Sequence, residues 1–442
     1  MIKNLSLLLA SIFLIISFGE LVFPKLIGKL PLRLYGLIDK DLRILAQSSK
    51  KSQLPKDYIA LTGDSYAVGA GDWLNKLFES HYFGSPDYSA AHLIYKKIGI
   101  DVVSFGQAGV GSFNGIWSEP VTQFLHINST RNFRLPPPKY FLIFFYEGND
   151  VYDNIRFLNH NNIDAVEKKM EEIEFREVQR FLTEEFEKQI KNNLNNSLWE
   201  NMIFTRFIFQ GTSNFLKRWF SSEKPCQNPI RLCHVENMKN NKLLHNPLSE
   251  GKVGMTLIGG KPVKLNEALM NGKKVGLPMS LQAPPQFGLT KLQHKLGMAE
   301  QLIELSMFVF EKSVGQLASF FPQSKINIIY IPSPLSSYNI VSSHIHFRGS
   351  MEGLMGEDVG ETVVAEQKHK HLCETIRSFA ELNNFSFVNT TKSLRKAAMS
   401  DFVHGPIDWD HFNKRGYQAL SDHLAELFLQ PSGNASKESC EY

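Results

Sequence analysis

Three stretches of the chain hold side chains whose types and spacing fit nucleophilic acyl chemistry. In Asp57-Tyr-Ile-Ala-Leu-Thr-Gly-Asp-Ser-Tyr-Ala-Val-Gly69 an apolar run ends in the polar turn Gly63-Asp64-Ser65. The run reads as a buried strand and residues 66–80 as a following helix, which puts Ser65 at a strand-to-helix junction. Unpaired backbone N–H groups and the helix dipole favour developing negative charge there. That suits a nucleophile, although an N-cap serine or aspartate without chemistry carries the same local signature.

A serine hydroxyl needs an adjacent base, usually a histidine oriented by a carboxylate. Two Asp-x-x-His pairs offer one, Asp401 with His404 and Asp408 with His411. In each, one short turn lets the carboxylate take the Nδ1 proton while Nε2 faces the serine. The second pair is the better candidate because Asn413-Lys-Arg-Gly-Tyr417, which opens the last helix, follows it directly; Asp401 and His404 read as loop residues. Acyl transfer also creates an oxyanion, and preorganised donors aimed at it lower the barrier by a few kcal/mol. The backbone N–H groups of Ser65 and Gly109 and the side-chain amide of Asn149 are the candidate donors, with simple turns as the alternative reading of both loops.

The elements that must position these residues alternate between short apolar strands and amphipathic helices from Asp57 onward. This is the pattern of an α/β domain with a mainly parallel sheet. Strands are expected at 57–62, 98–105, 140–146, 325–331 and 385–389. Helices are expected at 88–97, 290–320, 361–382 and from about 413 to 428. Three of the strands run into polar loops, at Gly63, Gly106-Gln-Ala-Gly-Val-Gly-Ser112 and Glu147-Gly-Asn-Asp150, which should meet at one sheet edge. Residues 159–290 interrupt the alternation as an insertion, with one or two long helices over 163–195 and hairpins at Gly259-Gly and Asn271-Gly.

The chain has 442 residues, 43% hydrophobic and 21% charged, with a formal net charge of +4 that is spread through the sequence. That is a folded globular composition without the basic footprint of nucleic-acid binding. The four cysteines make no Cys-x-x-Cys pair, so a zinc site is not expected. Cys226 and Cys233, across a turn-rich spacer, are a candidate disulfide in an oxidising compartment, with inert thiols as the alternative. Residues 1–23 read as a signal peptide or membrane anchor: Lys3 precedes an apolar run from Leu5 to Phe23 that only Glu20 interrupts. The first part matches a signal-peptide core, and the whole approaches the ~20 residues that span a bilayer. Ser17-Phe-Gly19 offers a cleavage site, so removal and retention are both open, while Lys25, Lys29 and Arg33 would favour the opposite orientation. Residues 24–56 are a connector and 431–442 a disordered tail.

Gly-Asp-Ser-x-x-x-Gly at 63–69, the glycine turn after Val102-Val-Ser-Phe105, Gly-Asn-Asp at 148–150 and Asp-x-x-His at 408–411 resemble, in order, the four motif blocks of the SGNH/GDSL hydrolase superfamily. The resemblance covers 57–158 and 291–430 as two parts of one domain. It departs at Glu147, where the family has a glycine, and at Ser104, where asparagine is common. It implies a flavodoxin-like three-layer αβα fold and acyl hydrolysis or transfer without metal or cofactor. Carried over, Ser65 is the nucleophile, Asp408 and His411 are its catalytic partners, and Ser65, Gly109 and Asn149 form the oxyanion hole. The expected function is an exported, membrane-tethered serine esterase acting on a small-molecule or glycan ester. O-acetyl transfer onto an envelope polysaccharide, with a membrane-bound acyltransferase as partner, is the alternative. A non-catalytic binding or assembly protein that kept the fold is the competing class.

Overall fold

The structure is a computed structural model that describes residues 2–30, 42–71, 89–129, 133–161, 175–194, 201–220, 255–258, 261–264, 266–278, 281–285, 298–348, 357–405, 408–429 and 439–440. The strands are β1 (Ile59–Thr62), β2 (Val102–Ser104), β3 (Tyr140–Tyr146), β4 (Met255–Ile258), β5 (Lys261–Lys264), β6 (Asn266–Met270), β7 (Lys273–Leu277), β8 (Lys325–Ile331), β9 (His344–Arg348), β10 (Glu357–Glu361) and β11 (Ser386–Asn389). The helices are α1 (Ile2–Leu26), α2 (Ser65–Val68), α3 (Ala90–Ile98), α4 (Glu119–Ser129), α5 (Asp150–His160), α6 (Phe175–Leu194), α7 (Ile203–Phe220), α8 (Met298–Phe320), α9 (Thr362–Leu382), α10 (Thr391–Ala398) and α11 (Lys414–Leu429).

Five strands form one sheet in the order β2-β1-β3-β8-β11, and every pairing in it is parallel. A parallel sheet buries both faces, and alternate residues serve the two faces. Ala60, Phe141, Ile143, Phe145 and Ile328 join a core with Val121 of α4, Ile155 of α5, Phe310 of α8 and Ile376 of α9. Their neighbours Ile59, Leu61, Leu142, Phe144 and Ile329 join a second core with Ile94 of α3 and Leu420 and Leu424 of α11. Truncating one of the buried phenylalanines, Phe144 or Phe145, should cost about 3–5 kcal/mol. The helices thus lie on both faces, and the strands' carboxyl ends are left free to present loops.

Of the helix expected over 66–80, the described part is one turn, Ser65–Val68. It stops at Val68 because Gly69 takes a left-handed conformation, φ 84°, and a Cβ there would lie 2.6 Å from Ser89. Residues 72–88 lie outside the described residues. Both hairpins of the insertion are present, the second closed by Asn271 and Gly272 at φ 51° and 73°. Positive φ at both turn residues matches the twist of the strands they join. The insertion is not peripheral: Val178, Leu182 and Phe186 of α6 belong to the first core, and Phe186 stacks on Phe113. Ala268 and Met270 of β6 pack with Tyr338, Phe347 and Val403 in a third core.

Cys226 and Cys233 lie outside the described residues. A disulfide absent from the sequence expectation joins Cys373 of α9 to Cys440, and Asn389 Nδ2 donates to the neighbouring Ser439 carbonyl at 3.1 Å. The end of the chain is therefore held on the core at that point. Among the described residues, Asn4–Lys29 is the one stretch long and apolar enough to cross a membrane, and its apolar window is not buried by the rest of the protein. A signal sequence has the same character.

Candidate active site

β1 carries the chain to Gly63 at φ 135°, where a Cβ would lie 2.7 Å from the Phe144 carbonyl, so only glycine fits the exit. Asp64 then caps α2, its Oδ1 accepting from the Tyr66 N–H at 2.9 Å. Ser65 follows as the first residue of that helix. Its hydroxyl lies 2.8 Å from His411 Nε2 and 3.1 Å from Asp64 Oδ2. His411 Nδ1 donates to Asp408 Oδ2 at 2.7 Å, and Asp408 Oδ1 accepts from the Asp410 N–H at 3.0 Å. Residues 346 positions apart are thus joined in one Asp–His–Ser hydrogen-bonded chain. Tyr66 keeps the histidine turn in place: its hydroxyl donates to the Asp410 carbonyl at 2.8 Å, and its ring packs against His411.

The other Asp-x-x-His pair is built differently. Asp401 is exposed and caps its own turn through the Phe402 N–H. His404 is fully buried, with Nδ1 3.3 Å from the Tyr338 hydroxyl and Nε2 without a partner among the described residues. Burial pushes its pKa down to about 3, which keeps the ring neutral.

Electrostatics set the base. Burial disfavours the His411 imidazolium, but the Asp408 charge and hydrogen bond, with Asp410 and Asp64 nearby, outweigh it and push the pKa up to about 9. Asp408 is held below the usual carboxylate range because His411 and two backbone N–H groups offset its burial. Asp64 and Asp150 are both buried, and burial raises both; for Asp150 the Asp64 charge adds to it.

The candidate oxyanion groups sit on the loops after β2 and β3, the strands on either side of β1. Gly63 ties the exit of β1 to the segment after β2, its N–H donating to Gly115 O at 2.9 Å and its carbonyl accepting from Gln107 N at 3.1 Å. Ser104 serves the same junction: its hydroxyl donates to Ala67 O at 2.6 Å and accepts from Gly106 N. Gly109 takes φ 71°, with nothing within 4 Å of where a Cβ would be, and its N–H takes no part in the backbone hydrogen bonds of the described residues. Asn149 is the N-cap residue of α5 but makes no capping bond, and its Oδ1 is buried without a partner among the described residues. Leaving such an atom unpaired costs about 1–3 kcal/mol. The donor atom of the same amide, Nδ2, makes no hydrogen bond among the described residues.

Several supporting residues were missed by sequence reasoning. Arg156, on α5, donates through Nη2 to the Gly109 carbonyl at 2.7 Å and pairs with Asp153 at 2.8 Å. Its spacing of seven from Asn149, two helical turns, was a readable signal. Glu147 does not enter the pocket. It is wholly buried, receiving His369 Nδ1 at 2.6 Å, the Tyr330 hydroxyl at 2.9 Å and Ser333 N at 2.6 Å. Burial opposes its ionisation, yet those partners win and hold its pKa down to about 2. It binds the Asn149 loop to the end of β8 and to α9. From the insertion, Gln282 accepts a hydrogen bond from the Tyr146 hydroxyl, and both side chains crowd the position of a Gly148 Cβ. No local pattern marks that residue.

Comparison with protein-family models, with curated proteins and with solved structures returned no match. The geometry stands on its own: a serine hydroxyl on an imidazole that a buried carboxylate orients, with uncommitted donors on the flanking loops. Such an array activates serine for attack on a carbonyl carbon.

Proposed function

We propose that this chain is a serine esterase of the SGNH/GDSL type, acting through an acyl-enzyme. The observation that carries the reading is the chain from Asp408 Oδ2 through His411 to Ser65 Oγ, with links of 2.7 and 2.8 Å. The sheet order supports it. Counting sheet strands along the chain it is 2-1-3-4-5, the flavodoxin-like order, and its switch point between β1 and β3 is where such folds bind ligands.

In the proposed cycle Ser65 Oγ bonds to the ester carbonyl carbon while its proton passes to His411 Nε2. The oxyanion takes hydrogen bonds from the Ser65 and Gly109 N–H groups and the Asn149 amide. As the carbonyl re-forms, the bond to the alcohol oxygen breaks and His411 returns the proton to it. Water then bonds to the acyl carbon as His411 takes its proton, and the bond to Ser65 Oγ breaks as that proton passes from His411 to Oγ, releasing the acid. A glycan hydroxyl in place of water would make the enzyme an O-acyltransferase; acetate release to water, compared with transfer to a soluble glycan, separates the two.

The disulfide at Cys373 and Cys440 supports export, since such bonds persist in oxidising compartments. Contacts at Gly19, Glu20 and Phe23 with α7 support retention of α1 as an anchor. Hydrolysis of p-nitrophenyl acetate by the full chain in detergent tests the reading. Ser65→Ala should lower kcat at least about a thousandfold, and an unchanged rate contradicts it.

A further inference from the structure

Glu20 is the one acidic residue in the apolar run of α1. Ionisable groups in such segments are expensive and have partners. Its Oε1 accepts from the Thr205 N–H at 2.8 Å and hydroxyl at 2.7 Å, and its Oε2 from the Phe204 N–H at 3.1 Å. Glu20 thus caps the N-terminus of α7, where the helix dipole favours a negative charge. Gly19 lets the helices close, since a Cβ there would lie 2.2 Å from the Phe204 ring. The Phe23 ring packs, tilted, with its centroid 5.6 Å from that of Phe204 and 4.6 Å from that of Phe207. Leu5, Leu9, Phe13 and Phe18, earlier in α1, are all exposed.

The run from Asn4 to Phe23 would span a hydrocarbon core of about 30 Å at ~1.5 Å per residue. The α7 contact therefore falls at the end of the span, at headgroup level. Immediately beyond that contact in α7, Ile208 (48%) and Phe209 (61%) are exposed large apolar side chains, as are those of α1. Its sequence carries Lys217 and Arg218 with no aspartate or glutamate, and adds Phe215, Leu216, Trp219 and Phe220. Basic residues with large apolar and aromatic ones, beside a spanning helix, suit the boundary between anionic headgroups and acyl chains.

We propose that α7 is an interfacial helix that lies on the anionic bilayer crossed by α1, giving the catalytic domain a second membrane contact. This rests on the anchor reading of α1 and is independent of the esterase chemistry. Arg206 carries the contact inward, its Nη1 lying 3.3 Å from His126 Nε2 of α4.

Photolabelling the full chain in phosphatidylglycerol-containing vesicles with a lipid-soluble aryl diazirine, followed by peptide mapping, tests this. Label should appear in 203–220 as well as in α1. It should fall severalfold in 203–220 for the Ile208→Asp/Phe209→Asp variant, with α1 labelling and the thermal transition unchanged; equal labelling of 203–220 in the variant contradicts the proposal. Labelled α1 with unlabelled 203–220 overturns the proposal and leaves the anchor standing. Labelling of neither overturns both. Cross-links joining 203–220 of two copies, without lipid labelling, would assign the face to a second copy and also overturn it.

Discussion

Arg156 Nη2 donates a 2.7 Å hydrogen bond to the Gly109 carbonyl, so the helix that opens at Asn149 also holds the loop carrying the other candidate oxyanion donor. Asn154, two residues earlier on the same helix, accepts from Ser112 N at 2.6 Å and fixes the far end of that loop. Both donors are thereby referenced to one rigid element. Losing one oxyanion donor outright costs about 10²–10³ in kcat, and Arg156 acts only through the orientation of one. Arg156→Ala should therefore lower kcat about tenfold on p-nitrophenyl acetate, leave KM nearly unchanged, and be partly rescued by Arg156→Lys. A change confined to KM or to the thermal midpoint contradicts the positioning role.

The two histidines should separate cleanly. His411→Ala removes the base and should cost at least about a thousandfold in kcat. His404→Ala touches neither Ser65 nor Asp408 and should keep activity while losing about 1–3 kcal/mol of stability from a buried site. Activity assays with thermal melts of both variants check this, and loss of activity in the second with none in the first would move the base to the other pair.

The base must be neutral to take the Ser65 proton, and the Asp408 charge holds the His411 pKa up to about 9. Esterase kcat/KM should therefore rise with pH and level off near that value. Asp408→Asn removes the main raising partner, so the profile should shift to lower pH while the rate drops about 10⁴-fold. Stability runs the other way. A folded pKa of about 9, against about 6.5 unfolded, gives a contribution complete below about pH 6.5 and lost as pH rises through about 9. Melting curves of wild type and His411→Ala across that window should converge as pH increases.

Cys373 and Cys440 close a loop with a sequence separation of 67. Removing that constraint should cost about 4 kcal/mol. The Cys373→Ala/Cys440→Ala variant should melt well below the oxidised wild type and become insensitive to added reductant; equal melting temperatures would contradict a structural role.

The sheet was legible because its central strands are dense apolar runs, as in Tyr140-Phe-Leu-Ile-Phe-Phe-Tyr146, and the hairpin at Asn271-Gly272 because its turn residues tolerate positive φ. Ser65, Asp408 and His411 were legible because each pairs a chemical type with a position at an element's start or approach. Apart from Arg156, the side chains that escaped have no local signature. Gln282 meets Tyr146 across 136 positions, Glu147 meets His369 across 222, and Cys440 reaches Cys373 from beyond the last helix. Such pairs are set by packing, which a single chain does not spell out in its spacing. Gly69 is the opposite case: it does mark a helix end, and the apolar residues beyond it masked the stop.

If Ser65 is an activated nucleophile, a fluorophosphonate probe should label the full chain covalently. One adduct is expected, mapped by mass spectrometry to Ser65, lost in Ser65→Ala and slowed severely in His411→Ala. A chain that stays unlabelled while the folded domain is intact, or that carries its adduct on another residue, contradicts it.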